Sequence, residues 1–329
     1  MQHQRTLSYH LYTLFLFTCR DFKSVIFPAL AFAIAAVSAS AATINNSPTY
    51  TSSIIIARLP LAFLWVWTNL LALAVSNQRK ANAVLEDTVN RSWRPIPAGR
   101  LSPSEAHLLL WIALASALAI SLSMPASLEL AAISIALFAL SWLYSEADWG
   151  SASIVARSAL TGIGALWYNW GALLALSGVG SSTQLTTQGS VWLVLTGAVM
   201  LTTIHATDIP DIEGDRASER RTIPLVFSET VARASVALSV LGWTLAGDAL
   251  GSSGGQCEES ISARLAWTIP ATIAVCITAI TLGRMGKAWD KGVWTLCCAW
   301  MTVMNSMPAW NSCIIRNFDT VEWTSLMYR

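Results

Sequence analysis

The chain has 329 residues, 54% of them hydrophobic and only 12% charged, against roughly 25% charge in an average soluble domain. Its mean hydropathy of +0.52 excludes a water-surrounded globule, whose surface needs polar cover. A net charge of +1, from 20 Lys and Arg against 19 Asp and Glu, leaves no basic excess for nucleic acid, and six cysteines without a CxxC pair exclude a disulfide scaffold or zinc module.

The composition therefore predicts an all-α, polytopic membrane protein. From the start, residues 7–18 are apolar but too short to span, so an interfacial helix is expected in a cytosolic N-terminal segment, 1–23. The small-residue run at 38–42 imitates a signal cleavage site, but the region before it is too long. Nine spans follow, at 24–43, 59–77, 104–123, 127–144, 154–177, 190–207, 230–250, 264–283 and 292–312. They make one transmembrane domain, 24–312, followed by a lumenal tail, 313–329. With the N-terminus and the loops after even-numbered spans on one side, that side holds 16 Lys and Arg and the other holds 4. The positive-inside rule makes the richer side cytosolic.

Two cytosolic loops carry most of the polar residues. In the loop at 77–99, Asn77, Lys80, Val84 and Asp87 fall on one helical face, and Glu86 lies beside Asp87. Residues 93–100, with two prolines and a glycine, form a stiff turn, and Ser102-Pro103 signals the next helix. In the loop at 205–224, Asp208, Asp211 and Asp215 are spaced i, i+3, i+7, with His205 one turn earlier. A stripe of like charges calls for a cation, and hard oxygen ligands suit Mg²⁺. The alternative is a solvated helix end with ordinary surface acids, followed by Arg216, Arg220 and Arg221. Taken together, the loops suggest two carboxylate clusters clamping Mg²⁺–diphosphate, with Lys80, Arg91, Arg94 and Arg221 as anion partners.

On these residues the sequence resembles the UbiA superfamily of intramembrane prenyltransferases, which has nine helices and two aspartate-rich motifs. Asn77 and the run Arg94-Pro95-Ile96-Pro97-Ala98-Gly99 match the first motif and its turn. Asp208, Asp211, Gly214, Asp215, Thr222, Ile223 and Pro224 match the second. The first motif's aspartates would fall on Gln78, Ala81 and Leu85, so the acids have moved to Glu86 and Asp87. This variant looks like the fungal branch that includes membrane sesquiterpene cyclases. The resemblance implies Asp208, Asp211 and Asp215 as catalytic groups and Mg²⁺ ligands, with Asn77 as a further ligand; Glu86 and Asp87, the only carboxylates between Asn77 and Pro103, are expected as the first loop's Mg²⁺ ligands, Asp87 also as a catalytic group. The resemblance also implies a bilayer-embedded enzyme of the endoplasmic reticulum, its active site facing the cytosol and no obligate protein partner.

Two reactions begin with departure of diphosphate from an allylic substrate such as farnesyl diphosphate. A cyclase then uses the chain's own double bonds; a prenyltransferase offers an aromatic or other small acceptor. The sixteen tryptophans favour a cation pocket, although Trp111, Trp142, Trp167, Trp170 and Trp192 also suit an interfacial belt. Tyr144, Trp167, Tyr168, Asn169 and Trp170 are the expected pocket residues. The loop at 145–153 lacks the Lys-Arg pair of many family members, so Arg157 is the expected diphosphate contact there. A transporter would place charges at mid-membrane and show repeated halves. Here the acids cluster at one end and no internal repeat is evident.

Overall fold

A computed structural model describes residues 5–45, 50–179, 184–253 and 261–311; the tail expected at 313–329 lies outside them. Twelve helices of six residues or more are introduced in chain order: α1 Leu7–Thr18, α2 Phe27–Ser38, α3 Ser52–Gln78, α4 Ala81–Asn90, α5 Pro103–Ser123 and α6 Ser127–Ser145. Then come α7 Ile154–Ser177, α8 Thr187–Thr203, α9 Ile212–Ala217, α10 Glu229–Ser253, α11 Ile261–Gly283 and α12 Lys287–Asn311. Every expected span has a helix in its place. Seven helices among the described residues are long and apolar enough to cross a bilayer, eight if the bent pair at the start counts as one.

The two shortfalls have local causes. Pro28 has no N–H to give the carbonyl one turn back, and a five-residue π turn, Phe22–Ile26, precedes α2. The expected straight span at 24–43 is thus a 12-residue α2 bent by 57° against α1. Helix α12 begins with Lys287, Asp290 and Lys291. After Gly292 the helix carries no charge, but Thr295, Thr302, Asn305 and Ser306 dilute its apolar run; at its start the Arg233 fork holds Asp290 at 2.7 and 2.8 Å.

Large side chains lock the bundle where small ones give them room. Trp65 of α3 is fully buried, and its indole N–H finds the Ser121 hydroxyl at 2.9 Å. A Cβ at position 171 of α7 would lie 2.0 Å from the Trp65 ring, so only glycine permits that approach. Trp300 of α12 is equally buried and donates to Thr244 Oγ1 of α10. On the side away from the charged loops, Ile44–Asn45 pairs antiparallel with Gln184–Leu185, Ile44 opposite Leu185. Trp111 and Trp142 are 60% and 58% exposed, as the aromatic-belt reading requires, whereas Trp192 is core.

Candidate active site

One cavity of about 220 Å³ gathers the loop acids at one end and apolar side chains along its walls. Its walls are helical stripes. Leu70, Leu73 and Asn77 of α3 follow i, i+3, i+7 spacing, as do Leu137, Leu140 and Tyr144 of α6. On α7 the stripe is Arg157, Thr161, Gly164, Ala165 and Tyr168, whose small residues leave the cavity its width. Trp294, Met301 and Asn305 of α12 close the far side.

Neither expected loop helix is continuous. Helix α3 ends at Gln78 and α4 starts at Ala81, so Asn77 and Asp87 share the cavity but not a helical face. In the second loop a 3₁₀ turn, Ile204–Thr207, and turns at 208–211 replace the expected stripe, because Pro210 interrupts it. Asp208, Asp211 and Asp215 reach the cavity nonetheless. The two loops meet where α9 lies on α4. A Cβ on Gly214 would come 2.1 Å from the Asn90 amide and 2.9 Å from the Glu86 carbonyl. The Asn90 amide donates to the Asp211 carbonyl at 3.0 Å.

The acids are held by guanidiniums. Arg94 donates to both oxygens of Asp87, at 2.8 and 2.7 Å. Arg91 donates to Glu86 and Asp87, each at 3.1 Å, and to Asp211. Arg157 pairs with Asp208 at 2.5 Å, reaches Thr207 at 3.3 Å and points its Nε at the Tyr144 hydroxyl at 3.4 Å. Arg220 donates to Glu86 at 2.9 Å and to the Tyr144 hydroxyl at 2.6 Å, and stands 3.9 Å from Asp215. Arg20, at the bend after α1, reaches Asp211 at 3.3 Å.

Burial and neighbours set the protonation of these groups. Burial pushes the Glu86 carboxyl up, but Arg220, Arg91, Arg94 and Arg157 together hold it below its usual range. Burial pushes Asp215 up to about 7, helped by Asp208 and Glu86 and only partly opposed by Arg220 and Arg157. Burial, with Arg20 and Arg94 nearby, brings Arg91 down to about 10, still cationic at neutral pH.

Several expected residues lie elsewhere. Lys80 does not line the cavity; with Arg79 it pairs with Glu146, at 3.0 Å, because the chain turns between α3 and α4. Arg221 is exposed and gives its backbone N–H to Ser151, while its neighbour Arg220 points inward. Trp167 and Trp170 pack against the core beside the cavity stripe of α7, and neither lines the cavity. Asn169 and Tyr168 do line it. His205 is buried but turns to the Ser235 hydroxyl at 2.7 Å. Gln78 donates to the Phe17 carbonyl, outside the cavity. Sequence reasoning missed Arg20, Asp21 and Arg220. Arg220 sits inside the second loop and was available as a candidate; Arg20 and Asp21 are distant in sequence and carried no motif.

The donor set fits a hard divalent cation in chemistry: carboxylate oxygens around Asn77, with one oxygen of buried Asp215 lacking any protein partner. Among the described residues no three acids, histidines or cysteines converge as a ready-made ligand set, because each loop acid faces a guanidinium.

A model of the UbiA prenyltransferase family matches residues 83–292. The chain is 28% identical over 242 residues to the fumagillin beta-trans-bergamotene synthase af520 of Aspergillus fumigatus, covering 71% of this chain and 73% of that one. It is 28% identical over 233 residues to the diterpene cyclase eriG of Hericium erinaceus, covering 70% and 69%. The polyprenyl transferase eriF of the same fungus is 28% identical over 220 residues, covering 67% and 69%. Among solved structures, a UbiA homolog from Aeropyrum pernix K1 superposes with a TM-score of 0.62 at 18% identity, covering 89% of this chain and 97% of that one. A UbiA homolog from Archaeoglobus fulgidus bound to GPP and Mg²⁺ gives 0.56 at 14% identity, covering 89% and 99%. At these identities the structural likeness speaks for the fold alone.

Proposed function

The chain belongs to the UbiA prenyltransferase family, and on that premise we propose that it is a membrane terpene cyclase acting on farnesyl diphosphate. The observation that carries the proposal is the division of one cavity into a guanidinium–carboxylate end and an apolar body. An allylic diphosphate has the same division. Arg91, Arg94, Arg157 and Arg220 bind and orient the diphosphate, and Arg20 completes their ring. Asp87, Asp208, Asp211 and Asp215, with Glu86 and Asn77, hold Mg²⁺, which supplies positive charge to the departing diphosphate. The stripe from Thr161 to Tyr168, with Leu70, Leu73, Leu137 and Met301, folds the prenyl chain and excludes water from the allylic cation. The Trp294 indole, buried and lining the cavity, offers that cation a π face.

The protein is a nine-helix, multi-pass enzyme of secondary metabolism in the endoplasmic reticulum, its charged end towards the cytosol; the 16 to 4 split of Lys and Arg supports that orientation. A bergamotene synthase, a diterpene cyclase and a polyprenyl transferase all match at 28% identity, so transfer to an aromatic or other small acceptor is the second reading. Membranes containing the protein, incubated with farnesyl diphosphate and Mg²⁺, separate the two. A volatile hydrocarbon formed without acceptor supports the cyclase. Turnover only after an aromatic acceptor is added overturns it and selects the transferase.

A further inference from the structure

The cavity lining contains six carboxylates and five guanidiniums. Five of the acids, Glu86, Asp87, Asp208, Asp211 and Asp215, stand within ion-pair distance of a guanidinium. The sixth is Asp21, on the first turn after α1. Its two neighbours in sequence, Arg20 and Lys23, feel its charge but form no ion pair with it; their side chains bond to Asp211 and, at 2.6 Å, to the Thr295 hydroxyl. Among the described residues the side chain of Asp21 meets only the Ser24 hydroxyl, at 3.5 Å. Asp21 is thus the one carboxylate of the cavity lining, among the described residues, that no ion pair engages.

A second group points the same way. Tyr168 is 4% exposed and lines the same cavity, and its hydroxyl has no protein partner. It lies three turns along α7 from Arg157, about 16 Å at 1.5 Å per residue, well away from the diphosphate end. Buried hydroxyls are normally bonded, so this one is placed for something that enters the cavity. Asp21 and Tyr168 thus both line the cavity and both stand outside the guanidinium ion pairs.

We infer that Asp21 is the proton acceptor that ends the reaction, with the Tyr168 hydroxyl holding the cation's last position beside it. The inference rests on the cyclase reading above. A C–H bond next to the cationic carbon breaks, its electron pair becomes the product's double bond, and the proton goes to a carboxylate oxygen of Asp21. Release of product lets water remove that proton and restore the carboxylate. No oxidant or second substrate is required.

Asp21→Asn keeps the shape and the Ser24 contact but removes the basic oxygen. Diphosphate release and hydrocarbon yield are measured together on farnesyl diphosphate with Mg²⁺. Hydrocarbon per diphosphate released should fall at least tenfold in Asp21→Asn, as water captures the cation to give alcohols, and Asp21→Glu should recover much of it. Diphosphate release itself reports that the variant is folded. An unchanged product ratio in Asp21→Asn overturns the inference, because another base then takes the proton. A parallel fall of release and hydrocarbon also overturns it, placing Asp21 at ionisation or in the fold. If the wild-type protein releases no diphosphate from farnesyl diphosphate, the cyclase reading itself fails and the inference falls with it.

Discussion

Arg220 donates to Glu86 at 2.9 Å across 134 positions of sequence. This ion pair ties the second loop to the acid that stands outside the family's usual first-motif pattern. Glu86 is 7% exposed and also receives Arg91, so its charge is matched on both sides.

Neutralising the second loop should abolish turnover. Asp208→Ala leaves Arg157 without its ion pair, and Asp211→Ala removes the ion pair of Arg20 and one of the three of Arg91; each also removes an oxygen ligand. We expect kcat to fall by about two to three orders of magnitude, the scale of a lost electrostatic stabiliser, and EDTA to lower the wild-type rate likewise. Diphosphate release with and without chelator checks this; a wild-type rate in either variant contradicts the Mg²⁺ reading.

The shifted acids give a contrast with their neighbour. Glu86→Gln and Asp87→Asn should each damage activity, because both line the cavity between arginines. Gln78→Ala loses only the bond to the Phe17 carbonyl, which is worth about 1 kcal/mol of stability. Its kcat should stay within a fewfold of wild type while its Tm drops slightly.

Adjacent arginines should behave oppositely. Arg220→Gln removes one of the two guanidiniums on Glu86 and the shorter of the two bonds to the Tyr144 hydroxyl, and should raise KM and lower kcat by at least tenfold. Arg221→Gln alters an exposed side chain and should leave both close to wild type. Kinetics of the two variants side by side decide the matter.

Acidity follows from Asp215. Its carboxyl titrates at about 7 in the folded protein and near 4 when unfolded. The folded state therefore holds a proton that the unfolded state gives up, so metal-free protein loses stability as pH rises from about 4 to about 7. Asp215→Asn removes that loss: its Tm should exceed that of wild type above pH 7 and match it near pH 4. Because a cation must displace the proton, stabilisation by Mg²⁺ should weaken as pH falls below about 7, by up to tenfold in affinity per unit. Thermal melts across pH, with and without Mg²⁺, read both effects.

Much of this was legible from composition and spacing. Apolar runs long enough to span located the helices, and the acids of both loops could be named because carboxylates at a bilayer edge demand partners. Side-chain direction was not legible. A two-residue break before Ala81 turned Lys80 towards Glu146, and one step of backbone separates inward Arg220 from outward Arg221. Trp167 and Trp170 fall just outside the cavity stripe of α7 and pack on the core. Arg20 and Asp21 enter only because Pro28 and the π turn bend the chain back, a tertiary event with no local motif.

The order of synthesis gives the cavity's construction a direction. One wall carries Arg20 and Asp21, made first; another carries Trp294, Met301 and Asn305 of α12, among the last residues described. The Asn305 amide donates to the Pro28 carbonyl at 3.0 Å, 277 positions back. A ribosome feeding helices into the bilayer therefore assembles both charged loops long before the chamber they serve has a closed side. Until α12 docks on α2, the nascent chain holds its acids and arginines against one another. A message truncated before α12 would yield an inserted, charge-balanced bundle that has no enclosed space for a prenyl chain.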